Sequence, residues 1–267
     1  MKPRIGAVLQ ARLGSTRLKQ KALRLLNGQP LILQVYNQVQ NCSLIDEVVL
    51  MTSNEPLDLK LIELFKSQHR GYSTGPVDDI VTRLYTASDK YQLDYLVRIW
   101  GDCPFVCPDI ISEMLQIVLT RKLDFISNSD IQKRTFPPGL DVEIYSRALL
   151  TQMNQQVSDP KKREFPIEYV RSSVAADKQD RYHDQSGVAN AGDLHMTIDY
   201  EEDLSAAESI YQILQKNNSD FTYPELRQLI KQQPELFKKF SAQTRNAEYK
   251  NYINQNTTPT DQKKDSL

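Results

Sequence analysis

Ile5-Gly6-Ala7-Val8-Leu9-Gln10-Ala11-Arg12-Leu13-Gly14-Ser15-Thr16-Arg17-Leu18-Lys19-Gln20-Lys21 is the stretch on which the reading of the fold turns. It opens on a short, unbroken apolar run, Ile5 to Leu9, the pattern of a strand buried on both faces in a parallel sheet. From Gln10 the chain turns polar and sets four cations (Arg12, Arg17, Lys19, Lys21) around Gly14-Ser15-Thr16. A loop leaving the carboxyl end of such a strand lies where open α/β sheets bind their ligands. Backbone N–H groups in the turn can cradle an anion, and Arg and Lys can offset the charge of a polyphosphate. The loop lacks the G-x-G-x-x-G of a dinucleotide fingerprint and the G-K-[ST] that closes a Walker loop. Charge alone leaves a solvated basic loop equally open; the position after the first strand favours phosphate.

Outward from this stretch the same alternation continues. Strands are expected at 47–52, 95–99, 123–127 and 142–145, and helices at 31–39, 57–65, 78–91 and 109–119. Further helices are expected at 204–214, 223–231 and 234–240. The alternation indicates an α/β fold with a mainly parallel, doubly wound sheet. Residues 1–240 read as a single domain, and 241–267, rich in Asn, Gln, Thr and Lys, as a polar, disordered tail. The chain of 267 residues is 40% apolar and 25% charged, an ordinary globular mix. Its 33 Lys and Arg against 34 Asp and Glu leave a net charge of −1, which argues against a general nucleic-acid binder. No apolar run approaches the roughly 20 residues of a membrane span, and Gln10 ends the first run too soon for a signal peptide. A cytoplasmic protein without a membrane partner is expected. Three cysteines (Cys42, Cys103, Cys107) form no disulfide framework, and three histidines (His69, His183, His195) lie far apart.

Three later segments also carry chemistry. In Gly101-Asp102-Cys103-Pro104 a carboxylate sits just past a strand, placed either to hold a divalent ion or to cap the next helix. Cys103 and Cys107 read as packing thiols, because a single C-x-x-x-C is a weak zinc signal. In Thr197-Ile198-Asp199-Tyr200-Glu201-Glu202-Asp203-Leu204, Asp199 is expected after a short strand, as a second metal carboxylate or as an N-cap partnered by Glu202. Asp203 is expected on the helix surface. In Phe136-Pro137-Pro138-Gly139-Leu140-Asp141-Val142-Glu143, Asp141 and Glu143 share one strand face, facing a cleft or guarding a sheet edge.

In this order the four segments resemble the cytidylyltransferases of surface-polysaccharide biosynthesis typified by spore coat polysaccharide biosynthesis protein F. The chain is more distantly similar to the synthetases that make CMP-activated acidic sugars. Ala11-Arg12-Leu13-Gly14-Ser15-Thr16-Arg17-Leu18 matches the opening motif almost intact, and the likeness runs from Ile5 to Phe240. The resemblance implies a GT-A-like nucleotide-diphospho-sugar transferase architecture with C-terminal helices. It implies transfer of CMP from CTP to a sugar-acid or related acceptor with release of pyrophosphate, with Mg²⁺ as cofactor. Arg12, Arg17 and Lys21 would hold the triphosphate and, with Asp102, carry catalysis. Gln10, Ala11, Gly14, Ser15 and Trp100 would complete the nucleotide site. Asp102 and Asp199 match the metal aspartates, and Asp141 and Glu143 an acceptor-side motif. Homodimers are common among the more distant synthetases.

The chain departs from that pattern at several places. Lys19-Gln20 stands where Pro-Gly is usual, and Trp100 where a small Thr is common. Val77 and Thr82 replace acidic residues, Phe165 a His and Glu201 a Pro. Trp100 would either stack on the base or fill its space. Two other functions stay open at this point: a GT-A-like glycosyltransferase, and a catalytically silent relative that binds a nucleotide or a partner protein.

Overall fold

The computed structural model describes residues 2–130, 134–184, 194–216 and 221–240. In chain order the elements are β1 (Ile5–Gln10), β2 (Leu25–Leu26), β3 (Gln29–Pro30), α1 (Leu31–Gln40), β4 (Glu47–Ser53), α2 (Leu59–Ser67), β5 (Gly71–Gly75) and α3 (Ile80–Lys90). They continue with β6 (Tyr95–Trp100), α4 (Pro108–Arg121), β7 (Phe125–Ser127), β8 (Val142–Ser146), α5 (Arg147–Gln156), α6 (Pro160–Glu164), α7 (Pro166–Ser173) and β9 (Gln179–Arg181). The last are α8 (Glu201–Lys216), α9 (Tyr223–Gln232) and α10 (Pro234–Phe237). The tail expected at 241–267 lies outside the described residues.

A seven-stranded sheet in the order β5-β4-β1-β6-β8-β7-β9 forms the centre. β5, β4, β1 and β6 are mutually parallel, β8 runs antiparallel to both β6 and β7, and β9 is parallel to β7. β1 shows why this sheet is covered on both faces. Ala7 and Leu9 belong to a core with α1, α2, α4, α8 and α9, while Val8 belongs to a second core with α3, α5 and α7. A continuous apolar strand must bury both sides, and helices on each face do so. No described helix is long and apolar enough to cross a membrane.

The reversal of β8 corrects the edge-strand alternative for Asp141 and Glu143. β8 is an interior strand, and Val142 pairs with Ile99 at the carboxyl end of β6. Its amino end therefore reaches the sheet edge at which the parallel strands finish, and brings Asp141 and Glu143 there buried. Residues 194–199 form no strand where a short one is expected before Asp199. Instead Met196 N–H donates to Pro138 O (2.8 Å) and Ile198 N–H to Asp102 O (3.0 Å), tying this irregular segment to the sheet edge. Gly139, at φ +110, admits that approach, because a Cβ there would lie 2.7 Å from the Met196 carbonyl. Asp102 does not cap α4, whose N-cap is Cys107.

Candidate active site

A cleft of about 650 Å³ opens where β1, β5, β6 and β7 end and β8 begins. Gln10 and Trp100 pair in register as the last residues of β1 and β6, and both line it. Gly101 N–H donates to Gln10 O (2.9 Å), so the two strand ends stay together as they leave the sheet. Of the residues expected at the nucleotide, Gln10, Ala11, Arg12, Gly14, Ser15, Arg17, Lys21, Trp100 and Asp102 all line the cleft. Lys19, the fourth cation of the loop, is exposed and not among them.

The loop after β1 is anchored at points its polar sequence hides. Leu13 and Leu18 are buried, which leaves Arg12, Gly14, Thr16 and Arg17 outward. Asp58, a buried carboxylate after β4, accepts Leu13 N–H (2.6 Å), Ser53 N–H (3.3 Å) and the Ser53 hydroxyl. It positions the loop, and nothing in its local sequence marks it out. Gln20 takes a left-handed conformation (φ 52) just before a 3₁₀ turn at Lys21–Leu23. This is where the related pattern has glycine, which adopts that conformation without the strain of a Cβ. The turn is kept with glutamine, and Lys21 emerges from it into the cleft.

Four of the five residues that the resemblance assigns to phosphate and metal meet around the Lys21 ammonium. Lys21 Nζ donates to Asp102 Oδ2 (2.7 Å), Asp199 Oδ1 (3.0 Å) and the Ile198 carbonyl (3.0 Å). Arg17 Nη2 donates to Asp199 Oδ1 (2.7 Å), and its guanidinium lies 5.7 Å from the Tyr200 ring centre. Burial alone would lower the Lys21 pKa; the Asp102 and Asp199 carboxylates outweigh it and raise it above the ordinary lysine value. The ammonium therefore stays charged at neutral pH. Asp199 is oriented by Thr197, whose hydroxyl donates to Oδ2 (3.2 Å). Asp203, expected on the helix surface, is buried: its Oδ2 accepts the Asp199 and Tyr200 N–H groups at 2.8 Å each. It takes the capping role expected of Glu202, because an i+4 carboxylate reaches back over the first turn. Glu201 pairs with Arg24 in solvent (2.5 Å).

Among the described residues no group of three or more His, Cys, Asp or Glu is arranged to hold a metal ion. The carboxylates of Asp102 and Asp199 do converge on one point, the Lys21 Nζ. Two hard oxygen donors with room for phosphate and water suit Mg²⁺, which usually takes one or two protein carboxylates. Cys107 is a packing thiol: burial pushes its pKa well up, and it donates to Phe105 O (3.2 Å).

Two further arginines line the cleft. Arg83 on α3 is buried, lines the cleft and donates to Val77 O (2.9 Å), while its Nε has no partner among the described residues. Burial, and then the nearby Arg98 and Arg12 charges, bring its pKa down to about 10. Arg98 on β6 donates from Nε to Gln10 Oε1 (2.9 Å) and from Nη1 to Glu143 Oε2 (2.9 Å). Its guanidinium sits 4.5 Å from the centre of the Trp100 ring. Periodicity shows neither as a site residue, since a charged side chain on a helix or strand reads as a solvated face.

At the other end of the cleft the charges come paired. Glu143 also accepts the Tyr145 hydroxyl (2.6 Å) and the Ser129 hydroxyl (3.1 Å). Asp141 pairs with Arg134 and accepts Gly139 N–H (3.1 Å). Asp130 pairs with Arg171 and, at 2.8 Å, with Arg181. Arg163, beside Phe165, staples α6 to α3 through Asp79 Oδ2 (2.8 Å) and the Thr82 hydroxyl (2.7 Å). Thr82 is one of the departures from the related pattern, and it serves this contact.

Comparison with known proteins bears on what such a cleft does. The family model described as "Cytidylyltransferase" matches residues 7–245. The uncharacterized protein MJ1063 of Methanocaldococcus jannaschii is 26% identical, over 85% of this chain and 89% of that protein. Spore coat polysaccharide biosynthesis protein SpsF of Bacillus subtilis is 25% identical over 77% of this chain and 85% of its own length. The 3-deoxy-manno-octulosonate cytidylyltransferase of Pelobacter propionicus is 29% identical, but over only 43% of this chain and 44% of that enzyme. The solved cytidylyltransferase of Leptospira borgpetersenii superposes with a TM-score of 0.79 at 27% identity, covering 91% of this chain and 100% of that one.

Proposed function

This chain belongs to the cytidylyltransferase family, and on that premise we propose that it transfers CMP from CTP to a sugar-acid or related acceptor, releasing pyrophosphate, in surface-polysaccharide biosynthesis. An acceptor hydroxyl gives up its proton to solvent as its oxygen attacks the α-phosphorus, the bond from that phosphorus to the bridging oxygen breaks, and pyrophosphate leaves with the electron pair. Charge builds on the phosphate oxygens, so the site needs fixed cations more than a covalent nucleophile. Arg12, Arg17 and Lys21 supply those cations from the loop after β1. Asp102 and Asp199 would hold Mg²⁺, which when bound neutralises charge on the phosphate oxygens. The observation that carries this reading is the meeting of Arg17, Lys21, Asp102 and Asp199 at one edge of the sheet. Asp141 and Glu143, held by Arg134 and Arg98, form the wall against which the acceptor is oriented.

Trp100 packs against the base or ribose, in the cleft that Arg83 also lines. Base–aromatic stacking contributes on the order of 1–3 kcal/mol. CTP with Mg²⁺ should then quench the fluorescence of this lone tryptophan. Tighter CTP binding by Trp100→Thr would show that the indole blocks the base instead. The function is tested by incubating the protein with CTP, Mg²⁺ and a panel of sugar acids, with pyrophosphate and CMP adducts followed by mass spectrometry. A matched rise of both with one acceptor supports the reading. Turnover of a finished nucleotide-sugar, with no pyrophosphate formed from CTP, contradicts it.

A further inference from the structure

The Lys21 ammonium has three N–H donors, and all three are used: Asp102 Oδ2 at 2.7 Å, Asp199 Oδ1 and the Ile198 carbonyl at 3.0 Å each. Two of these three acceptors are the carboxylates assigned to the metal ion, so the ammonium lies between them. We infer that Lys21 is the stand-in cation of the nucleotide-free protein: it holds Asp102 and Asp199 together and keeps free divalent ions out until a nucleotide draws it away. This role is additional to its contact with the triphosphate, and it rests on the two-aspartate reading of the site.

The physical basis is charge balance. Two carboxylates that share one partner atom repel each other unless a cation lies between them. Lys21 supplies that cation, and Arg17 compensates Asp199 a second time at 2.7 Å. Two cations thus neutralise two carboxylates before any ligand arrives. A divalent ion entering alone must sit beside the ammonium or expel it with nothing to receive it. A nucleotide changes both terms, since its phosphates offer the ammonium new acceptors and bring the ion already partly coordinated. The ion and nucleotide therefore bind with strong mutual dependence, and such coupling is reciprocal.

The test uses Mn²⁺ and the full chain, with water-proton relaxation enhancement reporting only protein-bound metal. Wild-type protein alone should show little enhancement at Mn²⁺ concentrations that give a large signal once CTP is added. Lys21→Met alone should bind Mn²⁺ at least about tenfold more tightly than wild type alone, because a facing positive charge is gone. Lys21→Arg, which keeps the charge, should stay within about threefold of wild type by the same argument. Tight Mn²⁺ binding by nucleotide-free wild type overturns the inference even if Lys21→Met does not fold, and so does a folded Lys21→Met that binds no better. No enhancement in wild type with or without CTP removes the metal–nucleotide reading, and the lysine's role with it.

Discussion

The two ends of the cleft use the same residue types in opposite ways. At the nucleotide end, Arg12 is exposed with no carboxylate partner among the described residues, and the buried Arg83 keeps an unpartnered Nε. Arg17 and Lys21 are paired, but with the aspartates assigned to a metal ion, so a metal–nucleotide complex can take over those pairs. At the acceptor end, Arg98, Arg134 and Arg171 are committed to Glu143, Asp141 and Asp130, side chains almost entirely out of water. One end keeps positive charge for a polyanion to claim. The other spends charge on its own architecture and presents a fixed polar wall. Mutations should therefore act on ligand and turnover at the first end, and on stability at the second.

The largest effect belongs to the carboxylates at the boundary. Asp102→Ala and Asp199→Ala should each lower turnover by about a thousandfold or more, since a lost divalent ion removes several kcal/mol of transition-state stabilisation. Circular dichroism should be unchanged; near-normal activity of either variant at limiting Mg²⁺ would remove the two-aspartate site. Next comes Arg98→Met, which strands the buried Glu143 without its cation. Loss of one partner of a buried pair lowers stability by about 3–5 kcal/mol, read as a shifted urea midpoint. A loss below about 1 kcal/mol would place this pair with exposed ones and erase the contrast.

Arg17→Ala probes the nucleotide end. A charge-assisted contact contributes about 1.5–3 kcal/mol, so kcat/KM for CTP should fall roughly ten- to a hundredfold with little change in the urea midpoint. Kinetics within about twofold of wild type would make the loop a solvated basic surface, since that is less than one hydrogen bond's worth. The smallest effect lies where the acceptor-side helices dock on α3. Burial raises the Asp79 carboxyl, but Arg163 and Thr82 outweigh it and hold the pKa below its ordinary 3.8. A depressed carboxyl contributes stability that is present above the unfolded pKa and lost as pH falls through the folded one. The stability gap between wild type and Arg163→Ala should thus be widest above about pH 5 and narrow below pH 3.8. A gap constant with pH would show that Asp79 takes no part in the staple.

The nucleotide end was the more legible in the sequence, for a physical reason. β1 must be apolar throughout because both faces are buried, and its loop is read directly from residues contiguous with it. β5, Gly-Tyr-Ser-Thr-Gly, escaped because a polar edge strand with glycine at each end has no strand periodicity. The acceptor end depends on pairs such as Arg134–Asp141, Asp130–Arg171 and Arg98–Glu143, whose members come from separate elements. Each alone looks like a solvated charge, and for Asp141 and Glu143 it is the antiparallel entry of β8 that turns them inward. Asp203 was hidden likewise within the acidic run Glu201-Glu202-Asp203, where backbone donors three and four residues earlier decide which carboxylate is buried.

Whether the cleft is a metal-dependent CTP site is read by calorimetric titration of CTP into the wild-type protein, with and without Mg²⁺ and against UTP as competitor. CTP should bind saturably with Mg²⁺ and at least about tenfold more weakly without it, as expected when the nucleotide must displace Lys21 from its carboxylates unaided. UTP should compete poorly. Absence of CTP binding in either condition, or equal binding of CTP and UTP, would contradict it.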